Sequence, residues 1–388
     1  MISGLVWRAA GVLAVFVAIS RVASASNPIV VEGQGAKYNI FVAGLAGANG
    51  GAGTAVLQND LKLSGDFVLT SADSAQFSVK GSYSGGSLSG SVSTGSREIL
   101  NRTFSGSWRS ATHQFADAIV EAVTGKPGIA GTRVVFVSAH SGAKELYLMD
   151  LDGANLRQLT KDGSLSLGPK FNSAGNLIAY TSYKSGYPDV WVIDLGASNR
   201  RRVSSYPGLN SGPCFSPDGT RIALTLSKDG NTELYTIAAE GGSAQRLTHT
   251  AGAEASPTYS PDGSQIAYVS DDRGSAQIYI MPSSGGACQR FNTSSSYATE
   301  PDWSPDGNWL AYSVQTAGQN QIAISEIRSG RQTVLTQSGV NETPTWCRNS
   351  RHLIFARGGK LYLLDSKTKQ IVQLDNGLAR CTEPNASR

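Results

Sequence analysis

Charged and aromatic residues are scarce in this 388-residue chain. Asp, Glu, Lys and Arg together make up 16% of it and aromatic residues 8%, whereas charged residues alone usually supply about 25% of a soluble protein. Coiled coils and long-helix proteins are rich in Glu, Lys, Leu and Arg, so the composition excludes both classes. The 33 Lys and Arg form no cluster longer than Arg200-Arg201-Arg202. We therefore expect no nucleic-acid partner.

Motifs for catalysis and metal binding are also missing. The sequence contains no nucleophile elbow, no zinc-protease motif and no phosphate-binding loop. Its histidines, His113, His140, His249 and His352, are too scattered to predict a site, and its four cysteines lack metal-ligand spacing. We expect no catalytic residue, no metal and no cofactor, and free, mostly buried thiols rather than disulfides.

Long hydrophobic runs are absent, and the short run near the N-terminus has a recognisable role. Arg8 precedes an apolar stretch over residues 11–19, and Ala23-Ser24-Ala25 follows it. This is the pattern of a cleaved secretory signal, and the run is too short to span a bilayer as a helix. An N-terminal membrane anchor is the alternative. We expect residues 1–25 to be removed from an exported protein that meets membranes only through partners.

Glycine, in contrast, is abundant, with 44 residues, and much of it belongs to a repeat. Pro213–Gly219, Pro257–Gly263 and Pro301–Gly307 share the pattern Pro-x-aromatic-Ser-Pro-Asp-Gly, and degenerate copies begin at Pro169 and Pro344. The leading prolines are spaced by 44, 44, 44 and 43 residues. Four short strands in each repeat of this length predict a β-propeller blade. The recurring Asp belongs to a turn, because a catalytic residue would be unique.

The first repeat lacks its leading strand, and the end of the chain supplies one. Residues 131–160 contain three apolar runs but no Pro-x-aromatic segment before them. Glu383–Ser387 has the sequence of a blade's first strand with no blade after it. We predict that the C-terminal strand closes a six-bladed β-propeller over residues 131–388, which leaves no free edge between blades.

Residues 26–130 lack the repeat and predict a small α/β N-terminal domain. Local patterns predict a strand at Tyr38–Val42, a flexible loop at Gly47–Gly53, a helix at Thr54–Ser64, a strand at Asp66–Leu69 and a helix capped by Ser110 and stopped by Gly125. The Ser/Gly-rich residues 78–106 are interpreted as hairpin strands, with a linker as the alternative. His113 lies on the outer face of the last helix and is expected to be solvated or inter-domain rather than a partner contact.

Several segments resemble the TolB family, the periplasmic propeller components of the Tol-Pal envelope system. They are the repeated turns, Trp108–His113, Ala122–Gly128 leading into Arg133-Val-Val-Phe-Val, and the closing Pro384-Asn-Ala-Ser. The resemblance covers nearly all of the chain after residue 25. The stretch between Leu69 and Trp108 is shorter and richer in Ser and Gly than the family's first domain. The closing segment also lacks the aromatic residue of the other innermost strands.

The resemblance implies a non-enzymatic, monomeric periplasmic scaffold with two protein partners. The propeller would bind a Pal-type peptidoglycan-associated lipoprotein, and the N-terminal segment would bind a TolA-type inner-membrane protein. These contacts would support outer-membrane integrity and envelope constriction during cell division. The segment Ile29, Val30 and Val31 alternates with polar neighbours and is suited to add to the edge of a partner's sheet.

The residues themselves also indicate where a partner binds the propeller. Innermost strands run along the propeller axis, so the loops that lead into them open on one mouth of the channel. We predict a partner-binding site there, made of Leu209, Asn210, Gly212, Glu254, Ala255, Thr299, Glu300, Glu342, Thr343 and Glu383. Convergent carboxylates at a concave mouth suit a basic or amide-rich surface, or a cation. Ordinary solvated loop polarity is the alternative.

A secreted propeller enzyme or a glycan-binding propeller is the other class of function. A peptidase would need a separate hydrolase domain, for which no part of the sequence remains. A lyase could use the same channel, where Tyr259, Trp303 and Trp346 would stack on sugars, although core packing of these aromatics is favoured.

Overall fold

The computed structural model describes residues 37–388. The predicted signal peptide, residues 1–25, lies outside this range, and so do Ile29, Val30 and Val31 of the predicted N-terminal binding segment. The described residues form an α/β unit followed by a ring of six four-stranded sheets. The predicted fold class, a six-bladed β-propeller after a small α/β domain, is confirmed. No helix within residues 37–388 has both the length and the apolar character needed to span a bilayer.

The N-terminal unit is one mixed sheet with two helices. Its elements are β1 (Tyr38–Val42), α1 (Gly50–Leu63), β2 (Phe67–Leu69), β3 (Phe77–Ser84), β4 (Ser87–Thr94), β5 (Arg97–Ser105) and α2 (Trp108–Thr124). The strand order is β2-β1-β3-β4-β5, with β1 parallel to both of its neighbours and β3, β4 and β5 antiparallel. The core of this unit buries Leu57, Leu61, Phe115 and Ile119.

The Ser/Gly-rich stretch is a pair of hairpins, which excludes the linker alternative. Its glycines make room for a large helix side chain: a Cβ on Gly90 would lie 2.5 to 2.7 Å from three ring carbons of Phe115. The Phe115 ring also packs 5.4 Å from that of Phe104, measured between centroids. Small residues in β4 therefore let α2 approach the sheet closely.

Two helix starts differ from the sequence-based prediction. α1 begins at Gly50, inside the segment predicted as a flexible loop. α2 begins at Trp108, because Ser107 rather than Ser110 is the N-cap, and its hydroxyl accepts a hydrogen bond from the Ser110 N–H at 3.3 Å. The predicted stop is correct: Gly125 caps α2 with a φ of 70°, a conformation that glycine adopts without strain.

The propeller consists of six blades, each written here from its innermost strand outwards. Blade 1 is β29 (Cys381–Ala386), β6 (Arg133–Ser138), β7 (Glu145–Asp150) and β8 (Arg157–Gln158). Blade 2 is β9 (Ser166–Phe171), β10 (Leu177–Ser182), β11 (Asp189–Asp194) and β12 (Asn199–Ser204). Blade 3 is β13 (Asn210–Phe215), β14 (Arg221–Leu226), β15 (Glu233–Ala238) and β16 (Gln245–Arg246).

The remaining three blades follow the same order along the chain. Blade 4 is β17 (Glu254–Tyr259), β18 (Gln265–Ser270), β19 (Gln277–Pro282) and β20 (Gln289–Arg290). Blade 5 is β21 (Ala298–Trp303), β22 (Trp309–Thr316), β23 (Gln319–Glu326) and β24 (Gln332–Val334). Blade 6 is β25 (Asn341–Trp346), β26 (His352–Arg357), β27 (Lys360–Asp365) and β28 (Ile371–Leu374).

The two ends of the propeller chain meet in blade 1. β29 pairs antiparallel with β6, so the last strand of the chain lies beside the first propeller strand. The Ser387 hydroxyl accepts from the Arg133 N–H at 2.8 Å, and the Ser138 hydroxyl donates to the Ala379 carbonyl at 2.8 Å. This pairing covers the edge that β6 would otherwise expose.

The N-terminal unit contacts the end of the propeller where β6 begins. Arg351 joins the two parts, because its guanidinium binds Asp66 of the N-terminal unit and Asp365 of β27. The Asp117 carboxylate of α2 holds the connection between α2 and β6 by accepting hydrogen bonds from the N–H groups of Ala130 (2.7 Å) and Gly131 (3.2 Å). The mouth at the start of the innermost strands lies at the opposite end of the channel.

The four cysteines are free thiols in the described residues. Cys347 and Cys381 are buried, Cys214 is half-buried and Cys288 is exposed. Burial raises the pKa of the Cys347 thiol to about 12, so it stays protonated and unreactive at neutral pH.

Candidate partner-binding site

Each innermost strand contains a bulge around its proline. The residue before the proline has a φ between 52° and 58° in all six strands, and these residues are Gly168, Gly212, Ser256, Glu300, Thr343 and Glu383. The pairing with the second strand of the blade shifts register at the same place. A left-handed backbone is uncommon outside glycine, so its recurrence shows that the bulge is a built feature of every blade.

The bulges surround the mouth end of the axial channel. The six residues before proline, the six prolines and Lys170 line a cavity of about 180 Å³. Gly212, Glu300, Thr343 and Glu383 of the predicted site are among them. Gly168, Lys170 and Ser256 were not in the predicted set. Gly168 and Lys170 flank Pro169, so the repeat in the sequence could have identified them.

Two mouth carboxylates tie neighbouring blades together. Glu300 of blade 5 accepts from the Thr343 N–H of blade 6 at 2.8 Å and from the Ser313 hydroxyl at 2.6 Å. Glu383 of blade 1 accepts from the Gly168 N–H of blade 2 at 2.7 Å. In both cases the acid that precedes the proline of one blade accepts a hydrogen bond from the residue that precedes the proline of the next blade. These two acids therefore also have a structural role.

The carboxylates that line the mouth cavity lie on one side of the ring. Glu300, Glu342 and Glu383 belong to blades 5, 6 and 1, whereas the equivalent walls of blades 2, 3 and 4 carry Gly168, Gly212 and Ser256. Burial raises the pKa of Glu300, and the nearby Glu342 and Glu383 carboxylates raise it further. Burial also raises the pKa of Glu383. A partner in the cavity therefore meets side-chain carboxylates on one side only, those of Glu300 and Glu383.

Glu342 is the mouth acid with the fewest structural ties. Its carboxylate accepts one hydrogen bond, from the Asn320 side-chain amide at 2.9 Å, and its side chain is half-buried. Leu209, Ala255 and Thr299, at the innermost strands of blades 3, 4 and 5, are also half-buried. These predicted contact residues lie at the first positions of the innermost strands or next to them, rather than in loops.

Two residues of the predicted site are buried, which corrects their assignment as surface contacts. Asn210 is 0% exposed and accepts hydrogen bonds from the Ser204 hydroxyl (2.7 Å) and the Tyr206 N–H (2.9 Å). Glu254 is also 0% exposed and accepts from the hydroxyls of Thr250 (2.6 Å) and Ser270 (2.8 Å). A partner at the mouth does not reach either side chain, so both leave the proposed contact surface.

Arg388 lies at the far end of the channel. Arg388 donates to both carboxylate oxygens of Asp302, at 2.9 Å each, and to the Trp303 carbonyl at 2.7 Å. Asp302 also accepts from the Trp346 N–H of the next blade at 2.8 Å. These residues leave a second cavity of about 190 Å³, which Tyr259 also lines.

The channel aromatics belong to the protein core. Tyr259, Trp303 and Trp346 are 6%, 2% and 0% exposed. The Trp303 indole N–H donates to the Gly307 carbonyl and that of Trp346 donates to the Asp302 carbonyl, each at 3.2 Å. None of the three presents an open ring face to a sugar. Within residues 37–388, these aromatics therefore do not support a glycan-binding channel.

Comparison with known proteins agrees with this architecture. A family model described as the TolB beta propeller domain matches residues 120–385. The Tol-Pal system protein TolB of Geobacter sulfurreducens is 42% identical over 82 residues, which cover 20% of this chain and 19% of that protein. A protein TolB homolog of Chlorobium chlorochromatii is 46% identical over 61 residues, which cover 16% and 14%. The matched segments thus span less than a fifth of these relatives.

A solved structure resembles both the N-terminal unit and the propeller. The crystal structure of TolB from Acinetobacter baumannii has a TM-score of 0.82 and covers 91% of this chain and 97% of that one, at 24% sequence identity. At this identity the likeness establishes the fold. Because the family model spans more than half of the chain, the protein belongs to the TolB β-propeller family.

Proposed function

We propose that this protein is a non-enzymatic periplasmic scaffold of a Tol-Pal system. Its propeller mouth binds a Pal-type peptidoglycan-associated lipoprotein, and its N-terminal segment binds a TolA-type inner-membrane protein. Through these partners it supports outer-membrane integrity and envelope constriction during cell division. Export follows from the predicted signal at residues 1–25, and the scaffold acts as a monomer.

The observation that carries the mouth assignment is the one-sided placement of its acids. A ring with six identical walls offers a partner six equivalent orientations. Glu300 and Glu383 remove that equivalence, because of the six residues before the prolines only those of blades 5 and 1 are carboxylates. Glu342 lies next to the corresponding residue of blade 6. Complementary charge fixes the orientation of a partner more than it adds affinity. A basic or amide-rich loop of a protein partner fits this half of the mouth.

The test of the mouth uses Glu342→Lys, because Glu300 and Glu383 also hold blades together. We expect the variant to bind the soluble domain of the Pal-type lipoprotein about 10-fold or more weakly by calorimetry, because a like charge would now face the partner's basic surface. Glu240→Lys is the matched control, since its side chain is 81% exposed and lies on an outer turn of the propeller. Equal affinities for the two variants, with normal melting temperatures, would refute the site.

The N-terminal assignment has a separate test. Residues 26–36 lie outside the described structure, and the sheet and helices of the N-terminal unit begin after them. Deleting residues 26–36 is expected to abolish capture of the TolA-type protein while Pal binding stays normal. Retention of the TolA-type protein by the shortened chain would count against the assignment.

A further inference from the structure

A buried histidine lies between carboxylates of the two parts of the molecule. His113 of α2 is 5% exposed, and its Nδ1 lies 2.7 Å from Asp60 Oδ2 of α1. Its Nε2 has no hydrogen-bond partner although it is buried. That nitrogen faces the propeller, 3.9 Å from Asp150 Oδ2 at the end of β7. An unpartnered buried ring nitrogen that faces carboxylates needs an explanation.

A second propeller acid completes the cluster. Asp152, in the turn after β7, has a side chain only 8% exposed. One side-chain ligand atom from each of Asp60, His113 and Asp152 lies within 4.8 Å of the others. The cluster therefore combines one imidazole with two carboxylates between the N-terminal unit and the propeller, and Asp150 borders it on the Nε2 side.

We propose that this cluster is a zinc site, with Asp60, His113 Nδ1 and Asp152 as ligands. Asp150, 3.9 Å from Nε2, would hold the imidazole from behind, which is the arrangement that orients most metal-binding histidines. Zinc bonds to nitrogen and carboxylate oxygen are about 2.0 to 2.2 Å long, so ligand atoms of a tetrahedral site lie roughly 3.3 to 3.6 Å apart. The ligand atoms of the three residues lie within 4.8 Å of one another, so small side-chain movements reach this spacing.

The donor set favours zinc over the common hard cations. Calcium and magnesium select sites built from oxygen ligands, whereas an imidazole nitrogen suits zinc. Asp60, His113 and Asp152 are distant in the sequence, and Asp60 and His113 alone are 53 residues apart. This separation explains why no metal-ligand spacing is visible in the sequence.

Arg109 occupies the cluster as a competing cation. Its guanidinium is bonded to Asp152 Oδ2 and lies 5.4 Å from the Trp108 ring. Zinc binding at Asp152 must displace or share this contact. Removing the guanidinium should therefore increase zinc affinity, an effect that adventitious binding elsewhere on the surface would not show.

Zinc in this position would connect the two parts of the molecule. Asp60 and His113 belong to the N-terminal unit, and Asp152 lies in the turn after β7 of the first propeller blade. An ion that binds the folded state raises its melting temperature. The proposed zinc would thus hold the N-terminal unit against the propeller face opposite the mouth.

The test titrates zinc chloride into metal-free protein that carries Cys288→Ser, because Cys288 is an exposed thiol that would bind zinc itself. We expect one zinc site by calorimetry, and no comparable binding of calcium. His113→Ala should weaken zinc binding by about 100-fold and Asp60→Asn by about 10- to 100-fold. Arg109→Gln should strengthen it. His249→Ala is the matched control, since His249 is exposed and far from the cluster in the sequence, and it should leave the affinity unchanged.

Zinc affinity that is unaffected by His113→Ala, or calcium binding as tight as zinc binding, would overturn the proposal. The absence of any zinc binding to the parent protein would also overturn it. If His113→Ala is misfolded by circular dichroism, Asp152→Ala decides instead, because it keeps the hydrogen bond between His113 and Asp60. Undiminished zinc affinity in that variant would have the same consequence.

Discussion

Replacing Glu254 with Gln is expected to remove a loss of stability that the protein undergoes as the pH rises past neutrality. Glu254 of β17 and Glu233 of β15 are both 0% exposed and belong to adjacent blades. They share Thr250, whose N–H donates to Glu233 at 2.9 Å and whose hydroxyl donates to Glu254 at 2.6 Å. Two carboxylates in such a place cannot both be charged without cost.

The two acids have different protonation states at neutral pH. Burial and the neighbouring Glu233 raise the pKa of Glu254 to about 7, although hydrogen bonds from Thr250 and Ser270 act in the opposite direction. Burial alone would raise the pKa of Glu233 too, but hydrogen bonds from Thr248 and Arg246 outweigh it and lower that pKa. Glu233 is therefore the charged partner, and Glu254 is the one that carries the proton.

The size of the effect follows from the pKa of Glu254. Between its ordinary value of 4.5 and about 7, the folded protein keeps a proton that the unfolded chain releases. The stabilisation is thus complete below 4.5 and is lost as the pH rises through 7. The full difference corresponds to about 3 kcal/mol in the free energy of unfolding.

Urea denaturation of the two proteins between about pH 5 and pH 8 measures this loss. Glu254→Gln should be less sensitive to pH than the parent by about 2 to 3 kcal/mol over this range. A neutral amide pair is already tolerated in the equivalent place between blades 5 and 6, where Asn341 donates to Gln321 at 2.9 Å. Glu240→Gln, on the surface, should behave like the parent. Parallel pH profiles for the parent and Glu254→Gln would refute the reasoning.

Two further substitutions test other parts of the structure. Gly128→Ala should lower the free energy of unfolding by about 1 to 3 kcal/mol in urea denaturation, because the new Cβ would lie 2.5 Å from the Asp117 Cα. Gly51→Ala is the control: no atom lies within 4 Å of its new Cβ, so the free energy of unfolding should not fall. His352 is buried, and its Nδ1 accepts from the Asn349 amide at 2.9 Å. Burial lowers its pKa to about 4. Because this value is below the ordinary 6.5, the protein should lose up to about 3 kcal/mol as the pH falls from 6.5 to 4, and His352→Gln should lose less; identical acid sensitivity would contradict this.

The propeller could be predicted from the sequence because its signal is repeated. The Ser-Pro-Asp-Gly turn of Pro257–Gly263 recurs at a nearly constant spacing, and each copy specifies the same hairpin by local backbone preferences. The N-cap of α2 was misplaced by three residues, because Ser107 and Ser110 are both good caps and only the three-dimensional structure distinguishes them.

The site was harder to predict because strand position does not reveal side-chain direction. Glu254 and Glu300 are both acids near the start of an innermost strand, yet Glu254 occupies the first position of β17 and is buried, while Glu300 sits in the bulge before proline and lines the channel. The bulge reverses the alternation of side chains locally. The contact between His113 and Asp60 depends on how α1 and α2 pack, which no local pattern encodes.

Hydrogen exchange of the protein with and without the soluble domain of the Pal-type lipoprotein tests the central claim most directly. Exchange reports which backbone amides a partner protects. Binding at the mouth predicts slower exchange at residues 297–300, 338–343 and 379–383 of blades 5, 6 and 1, with little change in residues 37–124. Protection confined to the N-terminal unit or to the outer strands would contradict the account.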